Sequence, residues 1–390
     1  MNKLSTHTNS KANDNGASPF FTQKVKALTV GKKSLSKLLE EMANTGFQGR
    51  KLAEVVEVWE RMIKDKNATI LLGYAGSLST TGQWKLVNFL IENRYIDILV
   101  STGANISEDI IEAMGYTYWK GTHTADDVVL LKKDINRYYD VYGSEVEYME
   151  MTEMIADFMV NNLKSNTPYS SREILYKFGI WLWKKGIKSI VATAAHYNIP
   201  IFCPAIVDSP YGDAGLIAKS QGFDLIIDNM KDYVEFMSLG EKSKETGVVY
   251  IGGGVPKDFI QLFAVTADLL YPDRVIPGRE AKIFRAKRLN GRVGKALVES
   301  YYPHRYAIQI TTDSPQWGGL SGCTFEEATS WGKEDVDGWK VQCYCDATIA
   351  LPIVIHALNE RIATKRKGID FSHFFGQDKK TNRKTLDAHK

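Results

Sequence analysis

One glycine-rich segment of the chain concentrates the residue types that amine chemistry uses. The run TTDSPQWGGLSGCTFEEATSWGKEDVDGW (311–339) contains Glu327, Trp331 and Lys333 and begins where a predicted strand ends. A lysine beside a tryptophan can lose part of its hydration, which leaves a fraction of neutral amine able to attack a carbonyl or an imine. Composition alone also allows Lys333 to be one surface lysine among many.

Three short loops rich in small and hydroxyl residues also follow predicted strands. They are AGSLSTTG (75–82), TGAN (102–105) and GGG (252–254). Such loops let a ligand approach the backbone and donate hydrogen bonds to phosphate or ribose. None of them is a GxGxxG or GxxxxGK[ST] motif, and each one alone is typical of a tight turn. Together they favour a nucleotide cofactor.

Carboxylates follow the same predicted strands. Asp208 and Asp213 lie in CPAIVDSPYGD, Glu108 and Asp109 follow TGAN, and Asp346 follows KVQCYC. Acidic side chains at strand ends can hold ribose hydroxyls or the ammonium groups of a cationic ligand. Helix N-capping is the alternative, and we favour it for Asp109.

The predicted strands and helices that position these residues appear in the sequence as apolar runs that alternate with amphipathic stretches. Helix-like segments such as 52–65, 84–94 and 257–270 have apolar positions three and four apart. The alternation predicts an α/β fold with a doubly wound, mostly parallel sheet and helices on both faces, in a single large domain. The predicted strands, almost continuously hydrophobic, are TILLGY (69–74), IDILVS (96–101), IPIFCP (199–204), DLIID (224–228), VVYIGGG (248–254), YAIQITT (306–312) and KVQCYC (340–345).

The composition excludes several classes of protein. Of the 390 residues, 44% are hydrophobic, which excludes a disordered or fibrous chain. The net charge of +3 provides no general field to attract nucleic acid or an anionic membrane. The four cysteines match no zinc pattern, and no apolar run approaches the roughly 18 residues of a membrane span. We therefore expect a cytoplasmic protein without a metal, a nucleic-acid partner or a membrane anchor.

The two ends of the chain differ in composition from the middle. Residues 1–18 are polar and are predicted to form a disordered tail, and residues 363–390 form a basic tail. We interpret the basic tail as solvated charge, and local binding of DNA or RNA there is an alternative. Residues 19–362 are left as the catalytic domain.

Longer stretches of the chain resemble the deoxyhypusine synthase family. They are IPIFCPAIVDSPYGD, VVYIGGGVPKDFI and EEATSWGKEDVDGWKVQCYCDATIALPIVIHAL. The third stretch contains the lysine of the SWGK motif, and the likeness covers about residues 69–358. The resemblance implies an NAD-dependent aminoalkyl transferase with a Rossmann-like fold, a homotetramer with sites at a dimer interface. NAD would oxidise the aminobutyl part of a spermidine-like polyamine, and the imine would pass to the lysine. An acceptor amine would then receive the group before hydride returns.

The resemblance also implies roles for individual residues. Lys333 would be the nucleophile, and Asp213, Glu327 and Trp331 would contact the polyamine. The acceptor stays open between a protein lysine, giving deoxyhypusine, and a small amine such as putrescine, giving homospermidine. Contacts to NAD would fall on Gly76, Thr80, Thr102, Gly103, Glu108, Asp208, Gly253, Thr312, Asp313, Asp346 and Ala347.

Two positions depart from the family pattern. Asp258 stands where the family carries a histidine, and Leu320 stands where it carries an aspartate. Our hypothesis is that Asp258 becomes a substrate-binding residue that anchors an ammonium group, which tilts the prediction toward a small acceptor. A non-catalytic NAD-binding regulatory protein is the alternative function. Such a protein would need neither Lys333 nor Trp331.

Overall fold

The computed structural model is an α/β fold, and it describes residues 20–241, 243–266, 270, 284–289, 292–297 and 303–371. The strands in chain order are β1 (Ala68–Tyr74), β2 (Ile98–Ser101), β3 (Trp119–Lys120), β4 (Ile135–Tyr138), β5 (Val141–Ser144), β6 (Thr167–Tyr169), β7 (Ile201–Phe202), β8 (Leu225–Ile227), β9 (Glu245–Ile251), β10 (Phe284–Leu289), β11 (Arg292–Leu297), β12 (His304–Thr311) and β13 (Glu334–Tyr344). The helices are α1 (Leu35–Met42), α2 (Phe47–Lys64), α3 (Trp84–Glu92), α4 (Glu108–Ala113), α5 (Asp127–Leu131), α6 (Glu145–Asn162), α7 (Ser171–Lys184), α8 (Ile190–His196), α9 (Pro210–Ser220), α10 (Asn229–Met237), α11 (Gly254–Thr266), α12 (Phe325–Ser330) and α13 (Ala347–Arg361).

Six of these strands form one parallel sheet in the order β7-β2-β1-β9-β12-β13. Read by their order along the chain, the six strands follow the 3-2-1-4-5-6 arrangement of dinucleotide-binding folds. The direction of winding reverses between β1 and β9, and a ligand crevice is expected at the carboxyl ends of strands on either side of that point. The predicted doubly wound sheet is confirmed.

Both faces of the sheet are covered, as the apolar runs predict. All seven residues of β1 are buried. On one face the core includes Trp59 of α2 and Leu351 of α13, and on the other it includes Phe236 of α10 and Phe263 of α11. The helices pack closely, because a Cβ on Gly247 of β9 would lie 2.5 Å from the Met62 sulfur of α2. The sheet therefore holds its strand ends in fixed positions.

Two predicted strands differ from those observed. The run 224–228 contributes β8 to a separate two-stranded sheet with β6, and the Ile226 side chain is half exposed. A short apolar run does not reveal whether one or both of its faces will be covered. The run 199–204 pairs with β2 at Ile201 and Phe202, and the Pro200 carbonyl accepts a hydrogen bond from Leu99 N at 3.1 Å. Pro200 and Pro204 have no N–H to extend the pairing.

The packed body extends further toward the carboxyl end than the sequence predicts. A basic tail was expected from residue 363, yet Arg366 Nη1 contacts the buried Asp97 carboxylate at 2.8 Å. Asp97 also accepts a hydrogen bond from the Ile369 backbone, and Phe371 is buried in the core. The many charged residues of this segment predicted a solvated tail, because within residues 363–371 only Ile369 and Phe371 supply apolar contacts to this cluster of the core. The predicted tail at 1–18 and residues 372–390 lie outside the described residues.

Candidate active site

A cleft of about 960 Å³ lies at the carboxyl ends of the central strands. The loops that follow β1, β9, β12 and β13 form its walls, so it spans the point where the winding reverses. Its volume lies within the usual range for cofactor sites. Six of the predicted cofactor residues line it, namely Gly76, Thr80, Thr312, Asp313, Asp346 and Ala347.

The walls of this cleft fit a phosphate-bearing dinucleotide. Gly76 (φ 92°) and Gly252 (φ 70°) adopt backbone conformations that favour glycine, and both line the cleft. The amino end of α13 opens there, and such an end attracts anionic groups. Hydroxyls from Ser77 and Thr80 complete a polar surface able to bind ribose or phosphate.

Asn105 joins two of the loops at the cleft, a role that its residue type does not reveal in the sequence. Its side-chain oxygen accepts a hydrogen bond from Leu78 N at 3.1 Å, and its nitrogen donates to Thr102 Oγ1 at 3.3 Å and to the Gly76 carbonyl. Thr102 therefore lies behind the wall and supports it. The hairpin of β4 and β5 forms the opposite side of the cleft, and its Tyr138 lines the cleft there. No feature of the sequence pointed to Tyr138.

Other predicted cofactor residues lie beside the cleft. Glu108 is buried and accepts a hydrogen bond from Ser77 Oγ at 3.4 Å, and burial raises its pKa to about 7. Gly103 is required by packing, because a Cβ there would lie 2.2 Å from Ser209 Oγ. Gly253 is required in the same way, with Ser321 Cα 2.4 Å from such a Cβ.

Asp208 and Asp213 lie beyond the β7 end of the cleft, and both are exposed. Asp213 is in the first turn of α9. Burial raises the pKa of Tyr148 to about 12, and the charges of Asp213 and Glu108 add to that increase. Asp213 therefore lies near Tyr148 and Glu108, which makes this edge acidic.

Asp109 has a structural role close to the one predicted. Its carboxylate is buried and accepts a hydrogen bond from Ile190 N at 2.5 Å, at the amino end of α8. Burial raises the pKa of this carboxyl to about 7. Asp109 thus caps a helix, although it caps a neighbouring helix and lies itself in the first turn of α4.

The structure brings Lys333, Asp258 and Trp331 together on the sheet face covered by α11. Lys333 Nζ lies 3.2 Å from Asp258 Oδ1 and 5.9 Å from the centre of the Trp331 ring. The Lys333 side chain is 13% exposed and that of Asp258 is 40% exposed. Glu327 is exposed on the adjacent helix α12. A half-buried amine therefore contacts a carboxylate beside an exposed indole.

The cleft and the lysine cluster occupy different parts of one chain. The Lys333 carbonyl accepts a hydrogen bond from His304 N at 3.0 Å, so its backbone lies at the amino end of β12. Thr311, in the wall of the cleft, lies seven residues further along this strand, which corresponds to roughly 23 Å. The structure does not bring Lys333 into the wall of the cleft.

Lys257 holds the loop that contains Leu320 against α11. Its buried ammonium group donates hydrogen bonds to Gln309 Oε1 at 3.0 Å, to the Leu320 carbonyl at 3.2 Å and to the Cys323 carbonyl at 2.7 Å. Burial lowers the pKa of Lys257 to about 8. Leu320, a predicted departure from the family pattern, therefore contributes its backbone here.

A buried carboxyl lies behind Lys333, and sequence reasoning missed it. Gln261 Oε1 accepts a hydrogen bond from Lys333 Nζ at 3.4 Å, and Gln261 Nε2 donates to Glu334 Oε1 at 3.3 Å. Burial raises the pKa of Glu334 to about 8, so the group is mostly a neutral acid at pH 7. Helical spacing between Asp258 and Gln261 could have indicated one shared face.

Glu334 makes the stability of the protein depend on pH in a defined window. Its pKa is about 8 in the folded chain against an ordinary value of 4.5, so between these values the folded state holds a proton that the unfolded state has lost. The free energy of unfolding should therefore fall with rising pH across that window and level off on either side.

Urea titrations of wild type and Glu334→Gln from pH 4 to pH 9 test this dependence. We expect the variant to gain stability relative to wild type between about pH 5 and pH 8. Glu326→Gln removes an exposed carboxylate from α12 and should show no such trend. A stability difference for Glu334→Gln that stays constant with pH would contradict the assignment.

The fold and cleft define the class of the protein, a Rossmann-like α/β protein with a ligand cleft where the sheet winding reverses. Residues 37–358 match the family model described as deoxyhypusine synthase. The chain belongs to the deoxyhypusine synthase family. Membership makes it a transferase of aminobutyl groups, with a polyamine donor and an amine acceptor.

Individual relatives agree with this family. A Methanosarcina mazei protein named probable deoxyhypusine synthase 2 is 44% identical over 336 residues, 86% of this chain and 89% of the relative. An Elusimicrobium minutum deoxyhypusine synthase-like protein is 34% identical over 349 residues, 87% of this chain and 85% of the relative. An Entamoeba histolytica crystal structure assigned to the deoxyhypusine synthases aligns with TM-score 0.55 at 16% identity, over 86% of this chain and 96% of that one, which is a likeness of fold.

Within the part of the chain that the structure describes, no helix combines the length and apolarity needed to cross a bilayer.

Proposed function

We propose that the protein is an NAD-dependent transferase that moves an aminobutyl group from a spermidine-like polyamine, through an imine on Lys333, to an acceptor amine. The contact between the Lys333 amine and the Asp258 carboxylate at 3.2 Å carries the proposal. Amine-transfer chemistry needs a nucleophilic nitrogen and a fixed negative charge beside it. A small diamine is the favoured acceptor, and a protein lysine is the alternative.

The cleft is the proposed NAD site. NAD would supply the chemistry of taking hydride from the polyamine and returning it to the transferred group. Gly76 and Gly252 would let the cofactor approach the backbone, while the amino end of α13 and its Asp346 would face phosphate and ribose. Thr80, Thr312, Asp313 and Ala347 complete the walls. Thr102, Gly103, Glu108 and Gly253 would support this site from behind, and Asp208 would bound it.

Lys333 would form the covalent intermediate. Its amine would attack the oxidised carbon of the donor, the propylamine part would leave as 1,3-diaminopropane, and an iminium would remain on the lysine. Asp258 would face that positive charge, and the exposed Trp331 ring would cover it and limit access of water. The acceptor amine would then displace Lys333 from the same carbon.

The distance between cleft and lysine supports a site shared by two copies of the chain. The Lys333 backbone lies roughly 23 Å along β12 from Thr311 of the cleft wall. The large apolar side chain of Trp331 beside it is 69% exposed. A second copy that packs on this face would cover this indole and place its own cleft, with its Asp213, against Lys333. The homotetramer remains part of the proposal.

Mixing two inactive variants tests the shared site. Lys333→Ala removes the nucleophile, and Ala347→Trp fills the cleft with an indole. Co-expressed in equal amounts, they should give mixed dimers that retain one intact site of two, and hence about a quarter of wild-type activity. Each variant alone should be inactive. A co-purified mixed dimer without activity would show that each chain builds its site alone.

The Asp346 carboxylate offers a second test, because it already has a structural role. Asp346 Oδ1 accepts hydrogen bonds from Thr348 N and Thr348 Oγ1, both at 2.7 Å, and so caps α13. Serine caps helices about as well as aspartate, so Asp346→Ser should leave the melting temperature unchanged. It removes the second carboxylate oxygen, and we expect NAD binding to weaken about tenfold. If calorimetry found that Asp346→Ser binds NAD as tightly as the wild type, Asp346 would only cap α13 and would not contact the cofactor.

A further inference from the structure

A second cavity lies at the amino ends of the strands, opposite the cleft at their carboxyl ends. Its volume is about 570 Å³, and it lies where α2 and α13 end and residues 363–369 cross the amino ends of β1 and β2. No aspartate or glutamate is among the described residues that line it. Six cations do line it, namely Lys64, Lys66, Arg361, Lys365, Arg366 and Lys367.

Only part of this positive charge is neutralised by contacts. Arg361 lies 3.1 Å from Glu60 and 4.0 Å from Glu40, and Lys64 also contacts Glu60. Arg366 contacts Asp97. Among the described residues, three carboxylates pair with three of the six cations, and the other three cations make no ion pair. The remaining cations, Lys66, Lys365 and Lys367, are exposed and make no ion pair among the described residues.

Cations are common at the carboxyl ends of helices because they interact favourably with the helix dipole, and this reason explains only two of the six. Lys64 and Arg361 lie in the last turns of α2 and α13, where a positive charge favours the helix dipole. Lys365 and Lys367 lie beyond the end of α13, and between them Arg366 fixes the segment through Asp97. The fold therefore holds two ammonium groups without an ion pair among the described residues at a cavity that already carries positive charge, an arrangement that costs energy through repulsion.

Two guanidinium groups make the wall rigid. Arg361 Nε donates to Ser36 Oγ at 2.8 Å, and Arg366 Nη1 donates to the Arg94 carbonyl at 3.3 Å as well as to Asp97. These side chains are 13% and 9% exposed. They set a fixed positive potential, while the lysine ammonium groups stay available to a ligand.

We infer that this cavity binds a small polyphosphate, either free or as the phosphate chain of a nucleotide. Its volume falls within the range of small-molecule sites, and three lysines without an ion pair in the described part of the chain suit a short phosphate chain. Nucleic acid fits less well, because the net charge of the chain is only +3 and the cations surround one cavity. The site is separate from the cleft and independent of the proposed function.

Calorimetry on the full-length protein saturated with NAD tests the inference, with tripolyphosphate and ATP as probes. We expect saturable binding by at least one probe that weakens steeply with added salt. Lys365→Glu combined with Lys367→Glu should weaken binding at least tenfold and leave transferase activity unchanged. The control pair Lys132→Glu and Lys133→Glu makes the same change in charge on the exposed end of α5 and should bind normally.

Three results would overturn the inference. The first is equal loss of binding in both double variants, which would reflect net charge alone. The second is failure of both probes to bind the NAD-saturated protein, including the case where they bind only without NAD and so occupy the cleft. The third is tighter, Lys365-dependent binding of single-stranded RNA, which would assign the surface to nucleic acid. Failure of the proposed transferase activity would leave this test unaffected.

Discussion

Replacing Lys333 with alanine is expected to abolish formation of the transfer product in the presence of NAD and spermidine, by on the order of a thousandfold or more. The reason is that the side chain supplies the atom to which the transferred group is bonded, and Trp331, Asp258 and Gln261 contribute no nucleophile in its place. The folded state should tolerate the change, since among the described residues Lys333 Nζ makes two polar contacts, with Asp258 and Gln261. Mass spectrometry of the amines measures this loss.

Two controls separate this role from a loss of charge or fold. Lys333→Arg keeps a cation beside Asp258 but cannot form an imine, so it should be as inactive as Lys333→Ala while it binds NAD normally. Lys37→Ala removes an exposed lysine of α1 and should be fully active. Borohydride added during turnover should fix an adduct on Lys333. An active Lys333→Ala variant would disprove the mechanism, whereas NAD binding without any turnover in wild type would support the regulatory alternative.

The sheet could be predicted because its strands are buried on both faces. Runs such as 69–74 and 306–312 are apolar along their whole length, and they become β1 and β12. Once those strands are parallel, the loops after them must meet at one edge, which brings Gly76 and Thr312 to the cleft. The same reasoning failed for 224–228, since burial of both faces depends on neighbours that the run itself does not specify.

The surroundings of Lys333 could not be predicted in the same way. Its contacts Asp258 and Gln261 precede it by more than seventy residues and belong to a different element. Glu334 would pass for a surface carboxylate in the sequence, yet the pairing of β13 with β12 buries it. Residue type and its neighbouring tryptophan pointed to Lys333 as the proposed nucleophile, and tertiary packing decides which groups face it.

Helix caps explain why several carboxylates at strand ends were ambiguous. Asp109 caps α8, and Asp346 caps α13 while it also lines the cleft. Both roles require a short side chain with an oxygen acceptor at the start of a helix, so the residue type and position are identical for either role. The two roles differ only in where the second carboxylate oxygen lies, which the sequence does not show.

Asp258→Asn is the second substitution with a large expected effect. It keeps the size of the side chain and an oxygen near Lys333 Nζ, but it removes the negative charge that the proposal places beside the substrate ammonium group. A charge-assisted hydrogen bond contributes about 1.5–3 kcal/mol, so we expect the KM for the polyamine to rise about 10-fold to 100-fold. The affinity for NAD should not change, because Asp258 does not line the cleft. Steady-state kinetics with varied spermidine measure the effect, and Glu326→Gln on the exposed side of α12 is the matched control.

Asp258→His goes further, because it introduces the residue that the family resemblance implies for this position. If Asp258 selects a small diamine by binding its second ammonium group, the histidine variant should form less homospermidine with putrescine and more product on a hypusine-precursor protein. The ratio of the two products, measured by mass spectrometry in one competition assay, isolates acceptor choice from overall rate. An unchanged ratio together with an unchanged KM for spermidine would show that Asp258 only pairs with Lys333. Substrate selection would then have to come from the exposed indole of Trp331 and from the acidic edge at Asp213.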